Sequence, residues 1–88
     1  MKKILLIIYD NTIDSSILRD RIKSLGPNFT FWDNHWFVET TMDAKKVYEQ
    51  ITSGEYEQSA VIVMEISTRA QSYYGRMNTA LWEWLKER

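Results

Sequence analysis

The chain has no cysteine, one proline, one histidine and three glycines in 88 residues. Each shortage removes a class of function. Without cysteine there is no disulfide framework, no thiol nucleophile and no thiolate metal site. One histidine without a cysteine makes a hydrolytic triad implausible. The few glycines form no phosphate-cradling loop, and neither a nucleophile elbow nor an HExxH pair occurs. Long apolar runs are also missing. The opening "MKKILLIIYDN" imitates a signal peptide, but its apolar run stops at Asp10 and no small-residue cleavage site follows. The run is far too short to span a bilayer. The expectation is a cytoplasmic protein with no membrane partner. Neither charge sign dominates: 11 basic residues face 12 acidic ones, for a net charge of −1. The basic residues form no block, which counts against strong sequence-independent binding of nucleic acid.

What is present suits one small globular domain: 44% of residues are hydrophobic and 14% aromatic. A chain of this length buries only about 60–65% of its unfolded surface, so oligomerisation is a common source of added stability.

Residues 4–9 read as a strand ended by Asp10 and Asn11. Asp14 is placed to cap a helix carrying Ile17, Leu18, Ile22 and Leu25, which Gly26 and Pro27 end. Residues 29–32 and 36–40 read as two strands around a two-residue turn at Asp33 and Asn34. That turn sets Phe31 opposite Trp36 and Phe29 opposite Val38 on one side. Trp32, Thr30 and Phe37 fall on the other. Thr41 is placed to cap a second helix with Ala44, Val47, Tyr48 and Ile51 on its apolar stripe. "GEYEQS" is an acidic loop, and residues 60–66 form a fourth strand. Residues 67–77 are a loop and 78–88 a closing helix.

The order predicts an α+β, ferredoxin-like βαββαβ core over residues 1–66. Its antiparallel sheet carries two helices on one face, with the closing helix added. The first strand lies between the third and fourth, and the second is an edge. The first and fourth strands are apolar on both sides, whereas a sheet with one wet face alternates. The second face therefore requires a cover: the last helix, a partner copy, or both.

Three groups of residues are candidates for function. Asp10, Asp33 and His35, with Tyr9 and Asn11, share one rim of the predicted sheet. Asp10 and Asp33 offer oxygen ligands for a hard cation such as Mg²⁺, and His35 a general base. The plain alternative is that Asp10 ends a strand, Asp33 makes a turn and His35 is solvated. The loop "STRAQSYYGRMN" brings Arg69, Tyr73, Tyr74 and Arg76, residue types that bind phosphate and stack a base. It also suits a connection whose tyrosines cover the sheet, and it leaves from the opposite rim. Finally, Met77, Leu81, Trp84 and Leu85 stripe the closing helix for docking. Trp82 at the border of that stripe, with Trp32 and Phe37 outside the hairpin, is a candidate intermolecular contact.

The strand ending "IIYD", then "SLG", "HWFVET" and "YYGRMNTALWEWL", resembles small bacterial SinR-like proteins. More distantly it resembles the small CRISPR-associated adaptation protein and the VapD-type toxins. The resemblance implies a ferredoxin-like homodimer. It also implies that Asp10 matches the aspartate used by those members that are metal-dependent nucleases. Three functions follow: a homo-oligomeric accessory or binding protein without strong catalysis, a Mg²⁺-dependent endoribonuclease using Asp10 across a dimer axis, or an oligomer sequestering a nucleotide or small ligand. The acidic balance favours the first over the second.

Overall fold

A computed structural model of the chain describes residues 2–66 and 79–87. The elements are β1 (Lys3–Tyr9), α1 (Ser16–Lys23), β2 (Asn28–Phe31), β3 (His35–Thr40), α2 (Ala44–Thr52), β4 (Val61–Ile66) and α3 (Thr79–Lys86). The four strands form one antiparallel sheet in the order β2-β3-β1-β4. The fold is α+β. As the sequence pattern predicts, β1 lies between β3 and β4, and β2 is an edge.

Strand alternation divides the apolar residues between two layers. Leu5, Ile7 and Tyr9 of β1 and Trp36 and Val38 of β3 point to one side. There they meet Leu18 and Ile22 of α1, Val47 and Ile51 of α2, and Tyr56 from the loop before β4. The other side carries Ile4, Leu6 and Ile8, paired with Ile66, Met64 and Ile62 of β4. On that side Phe37 stacks on Phe31 with ring centroids 5.6 Å apart and lies 6.3 Å from Trp84 of α3. Ile4, Leu81 and Leu85 are all buried. The closing helix therefore covers part of the second face. Trp84 itself is only half-buried, so Leu81 and Leu85 are the residues that seat α3.

The hairpin differs from the predicted one by a one-residue slip. Phe31 pairs with His35, Thr30 with Trp36, Phe29 with Phe37 and Asn28 with Val38. The loop is Trp32–Asn34, and its positive φ values fall on Trp32 (54°) and Asp33 (61°). A slip of one residue exchanges the faces of a strand. Phe29 and Phe31 consequently join Phe37 on the α3 side, not Trp36 and Val38 in the helix-side core. Backbone anchoring accounts for the longer loop. The Tyr9 amide donates to the Asn34 carbonyl at 3.2 Å, and the Asn34 side chain donates back to the Tyr9 carbonyl at 2.9 Å. Asn34 is thereby committed to β1 and cannot serve as the second turn residue.

Capping also shifts. Ser15 occupies the N-cap of α1 without a side-chain bond, while Asp14 accepts from the Ser16 amide at 3.2 Å. Asp43, not Thr41, caps α2 by accepting from the Lys46 amide at 2.8 Å. The acidic loop after α2 contributes Tyr56 to the core. The Tyr56 hydroxyl accepts from the Leu18 amide at 3.1 Å and donates to the Asp14 carbonyl at 2.8 Å, binding the start of α1.

Candidate functional site

Because β1 and β2 run in the same direction, the end of β1, the Trp32–Asn34 loop and the start of β3 share one rim. Ile8 pairs with His35 there. The rim thus gathers Tyr9, Asp10, Asn11, Asp33 and His35 as the sequence pattern predicts. Its internal bonding gives each a specific part.

Tyr9 is buried at 3% exposure. Its hydroxyl accepts from the Trp36 indole at 3.0 Å and donates to the Asp33 carbonyl at 2.8 Å. The Asp33 carbonyl also accepts from the Arg19 guanidinium at 2.8 Å, and that guanidinium sits over the Trp36 ring at 5.0 Å. This lattice of Tyr9, Arg19, Trp36 and Asp33 holds the hairpin tip to α1. Asp33 takes part through its backbone, leaving its carboxylate exposed. No motif in the sequence marks Arg19. The only signal for it is that a residue one turn into α1 faces the neighbouring turn.

The Asp10 carboxylate is exposed and turned back on its own chain. One oxygen accepts from the Thr12 amide at 2.9 Å and from the Thr12 hydroxyl at 2.8 Å. These bonds favour the ionised form and hold Asp10 below its ordinary value, the backbone amide having the larger effect. Asn11 is exposed beside it. His35 is half-buried. Its Nδ1 lies 2.9 Å from the Asn34 side-chain oxygen, and its ring lies 5.2 Å from Phe31 and 5.3 Å from Trp32. Among the described residues no group of three or more His, Asp or Glu side chains is placed to hold a metal ion. A shallow depression beside the rim is lined by Ile8, Tyr9, Asp10, Ala60, Val61 and Ile62, so its one charged group is Asp10.

The remaining candidates separate into three kinds. Trp32 is 67% exposed at the hairpin tip, held edge-on to Phe31 and His35. Phe37 is half-buried beneath α3, and Trp82 is half-buried on that helix. Arg69, Tyr73, Tyr74 and Arg76, with the rest of the predicted 67–77 loop, lie outside the described residues.

Besides Trp32 at the hairpin tip and Ile17 on α1, two large apolar groups are exposed on the second face of the sheet. Ile62 is 50% and Met64 40% exposed. Ile62 is paired with Ile8, which pairs on its other side with His35, and His35 contacts Trp32. One row of apolar and aromatic side chains thus crosses the sheet at this rim, beyond the part covered by α3. No family model matches the chain, and no curated protein and no solved structure is found to match it.

Proposed function

We propose that this protein is a small homo-oligomeric binding protein on a ferredoxin-like scaffold. The sheet order with α1 and α2 on one face supports the scaffold reading. One observation carries the functional reading: Ile62 and Met64 remain exposed on a sheet face that a helix covers only in part, and Trp32 is exposed at the hairpin tip beside it. Large apolar groups left exposed together mark an interaction surface. A second copy is the occupant whose matching surface is known. Across a two-fold axis the same patch meets itself, and a short chain gains the burial that it lacks alone. Tryptophan is over-represented among residues that dominate such contacts.

Sedimentation of the wild type and of Ile62→Glu tests the reading. The wild type is expected at twice the chain mass or more at micromolar concentration, and Ile62→Glu at the 10.5 kDa of one chain. A wild type that stays at one chain mass at every concentration overturns it.

A further inference from the structure

The ladder of β1 shows which backbone groups of β4 face outward. The Tyr9 amide donates to the Asn34 carbonyl at 3.2 Å, and the Asp10 amide donates to the Ala60 carbonyl at 3.2 Å. Successive residues at the end of β1 therefore bond to opposite neighbours, Tyr9 on the β3 side and Asp10 on the β4 side. Beyond Ala60 the register sets Ile62 opposite Ile8, Met64 opposite Leu6 and Ile66 opposite Ile4. Bonded and non-bonded pairs alternate along an antiparallel ladder, so Ile62, Met64 and Ile66 give their backbone to β1. Val61, Val63 and Glu65 turn their amides and carbonyls to the outer edge of the sheet. Among the described residues nothing hydrogen-bonds them there.

An open edge is normally blunted by shortness, a proline, a lysine or a bulge. The other edge of this sheet, β2, is only four residues long. Strand β4 has six, VIVMEI, with no proline and no lysine, and its register with β1 runs without a bulge. It also carries Ile62 and Met64, at 50% and 40% exposure. Unpaired backbone and uncovered apolar side chains thus coincide on one strand. The backbone groups require an extended strand as their occupant, and the side chains require an apolar one.

We propose that β4 pairs antiparallel with β4 of a second copy, with Val63 on the two-fold axis, joining two four-stranded sheets into one. The proposal rests on the homo-oligomer proposed above and names the strand through which it forms. The sequence of β4 selects both the occupant and the register. With Val63 opposite the partner's Val63, and Val61 opposite the partner's Glu65, the outward backbone groups of both strands meet as bonded pairs. Ile62 then lies opposite the partner's Met64, so each exposed apolar group of β4 is covered by the other kind. The two Glu65 carboxylates stay at opposite ends of the pairing, each beside its own Lys3. Moving the axis to Met64 makes the two Glu65 side chains diagonal neighbours, and moving it to Ile62 leaves Met64 opposite the partner's Ala60. Only the axis at Val63 pairs Ile62 with Met64. The contact is isologous and closes at two copies.

The chain has no cysteine, so introduced thiols report this register. Ile62 and Met64 are exposed, and cysteine at either should leave the fold intact. In the proposed pairing the Cα atoms of Ile62 and the partner's Met64 are about 4.5 Å apart, within disulfide reach. Like positions are diagonal neighbours at about 7–8 Å, beyond it. Under mild oxidation an equimolar mixture of Ile62→Cys and Met64→Cys should yield a disulfide-linked dimer, and neither variant alone should. In the wild type, the Val63 amide should exchange slowly where the dimer is populated and quickly on dilution to one chain mass. A mixture that forms no more disulfide than its components overturns the β4 pairing. So does a Val63 amide that exchanges as fast in the dimer as in the single chain. Either result leaves a homo-oligomer formed by another surface, whereas a wild type at one chain mass at every concentration removes both.

Discussion

Trp36 and Tyr9 form a buried side-chain pair: the indole nitrogen donates to the tyrosine hydroxyl at 3.0 Å, and both rings lie within the helix-side core. The hydroxyl in turn donates to the Asp33 carbonyl at 2.8 Å. One oxygen thus satisfies a buried N–H and fixes the hairpin tip. Tyr9→Phe preserves the ring but leaves the indole N–H without this acceptor. A buried group left unsatisfied costs about 1–3 kcal/mol. Denaturant unfolding of Tyr9→Phe should show that loss. In a double-mutant cycle, Tyr9→Phe should cost less in a Trp36→Phe background, where no indole N–H is left to strand, although Trp36→Phe is itself destabilising because it shrinks a fully buried ring.

Two glycines with positive φ differ in what a side chain would meet. Gly26 (φ 151°) follows α1, and a Cβ there would run into the Glu39 carbonyl oxygen, where β3 comes close. Gly54 (φ 80°) follows α2 and faces open space. At Gly54 only the backbone preference opposes alanine, at about 1–2 kcal/mol. Gly26→Ala must also displace the strand. Thermal melts should rank wild type first, Gly54→Ala a few degrees lower and Gly26→Ala far below both. Equal melting of the two variants would mean that the close approach of Gly26 to β3 is absent in solution.

These pairs show where the sequence is informative. Strand and helix order follows from apolar periodicity alone, because Leu5, Ile7, Leu18, Ile22, Val47 and Ile51 recur at the spacing of their elements. The hairpin register does not follow. It depends on Asn34 being held by Tyr9, a contact spanning 25 residues, and no local turn preference records it. Caps fail for the same local reason. Thr41 and Asp43 both suit an N-cap, and where the helix begins decides between them. At the rim, the gathering of Asp10, Asp33 and His35 is legible from topology. That Asp33 acts through its carbonyl, and that Arg19 reaches it, depends on side-chain direction.

The Asp10–Thr12 turn gives a pH-dependent outcome. The carboxyl of Asp10 lies below its ordinary value because Thr12 donates to the ionised form. A group depressed on folding stabilises the fold above its unfolded value, about pH 4, and loses that contribution as pH falls through the lower folded value. Thr12→Val removes the hydroxyl donor and keeps the amide, which has the larger effect. The Asp10 carboxyl, followed by NMR titration, should move part of the way up towards its ordinary value. Thr12→Pro, which also removes the amide, should return it further. No movement in either variant would mean that the turn does not persist in solution.

The closing helix yields the last expectation. An eight-residue helix is unstable in isolation, so α3 exists by virtue of what it buries. Leu81 and Leu85 are each 2% exposed, one turn apart on a single face, and Ile4 of β1 is buried at 5% on the sheet face where α3 lies. Trp84 lies 6.3 Å from Phe37 and remains half-buried. Truncating a fully buried leucine to alanine costs about 2–5 kcal/mol, a large share of the roughly 5–15 kcal/mol that holds a small domain together. Leu85→Ala and Leu81→Ala should therefore each lower the unfolding midpoint strongly. Trp84→Ala, which removes a ring already in partial contact with water, should cost less than either leucine. His35→Ala, with its ring at the rim, should cost less again. A Leu85→Ala variant that melts with the wild type would detach α3 from the sheet, and the whole second face, not only its uncovered row, would then have to be buried between copies.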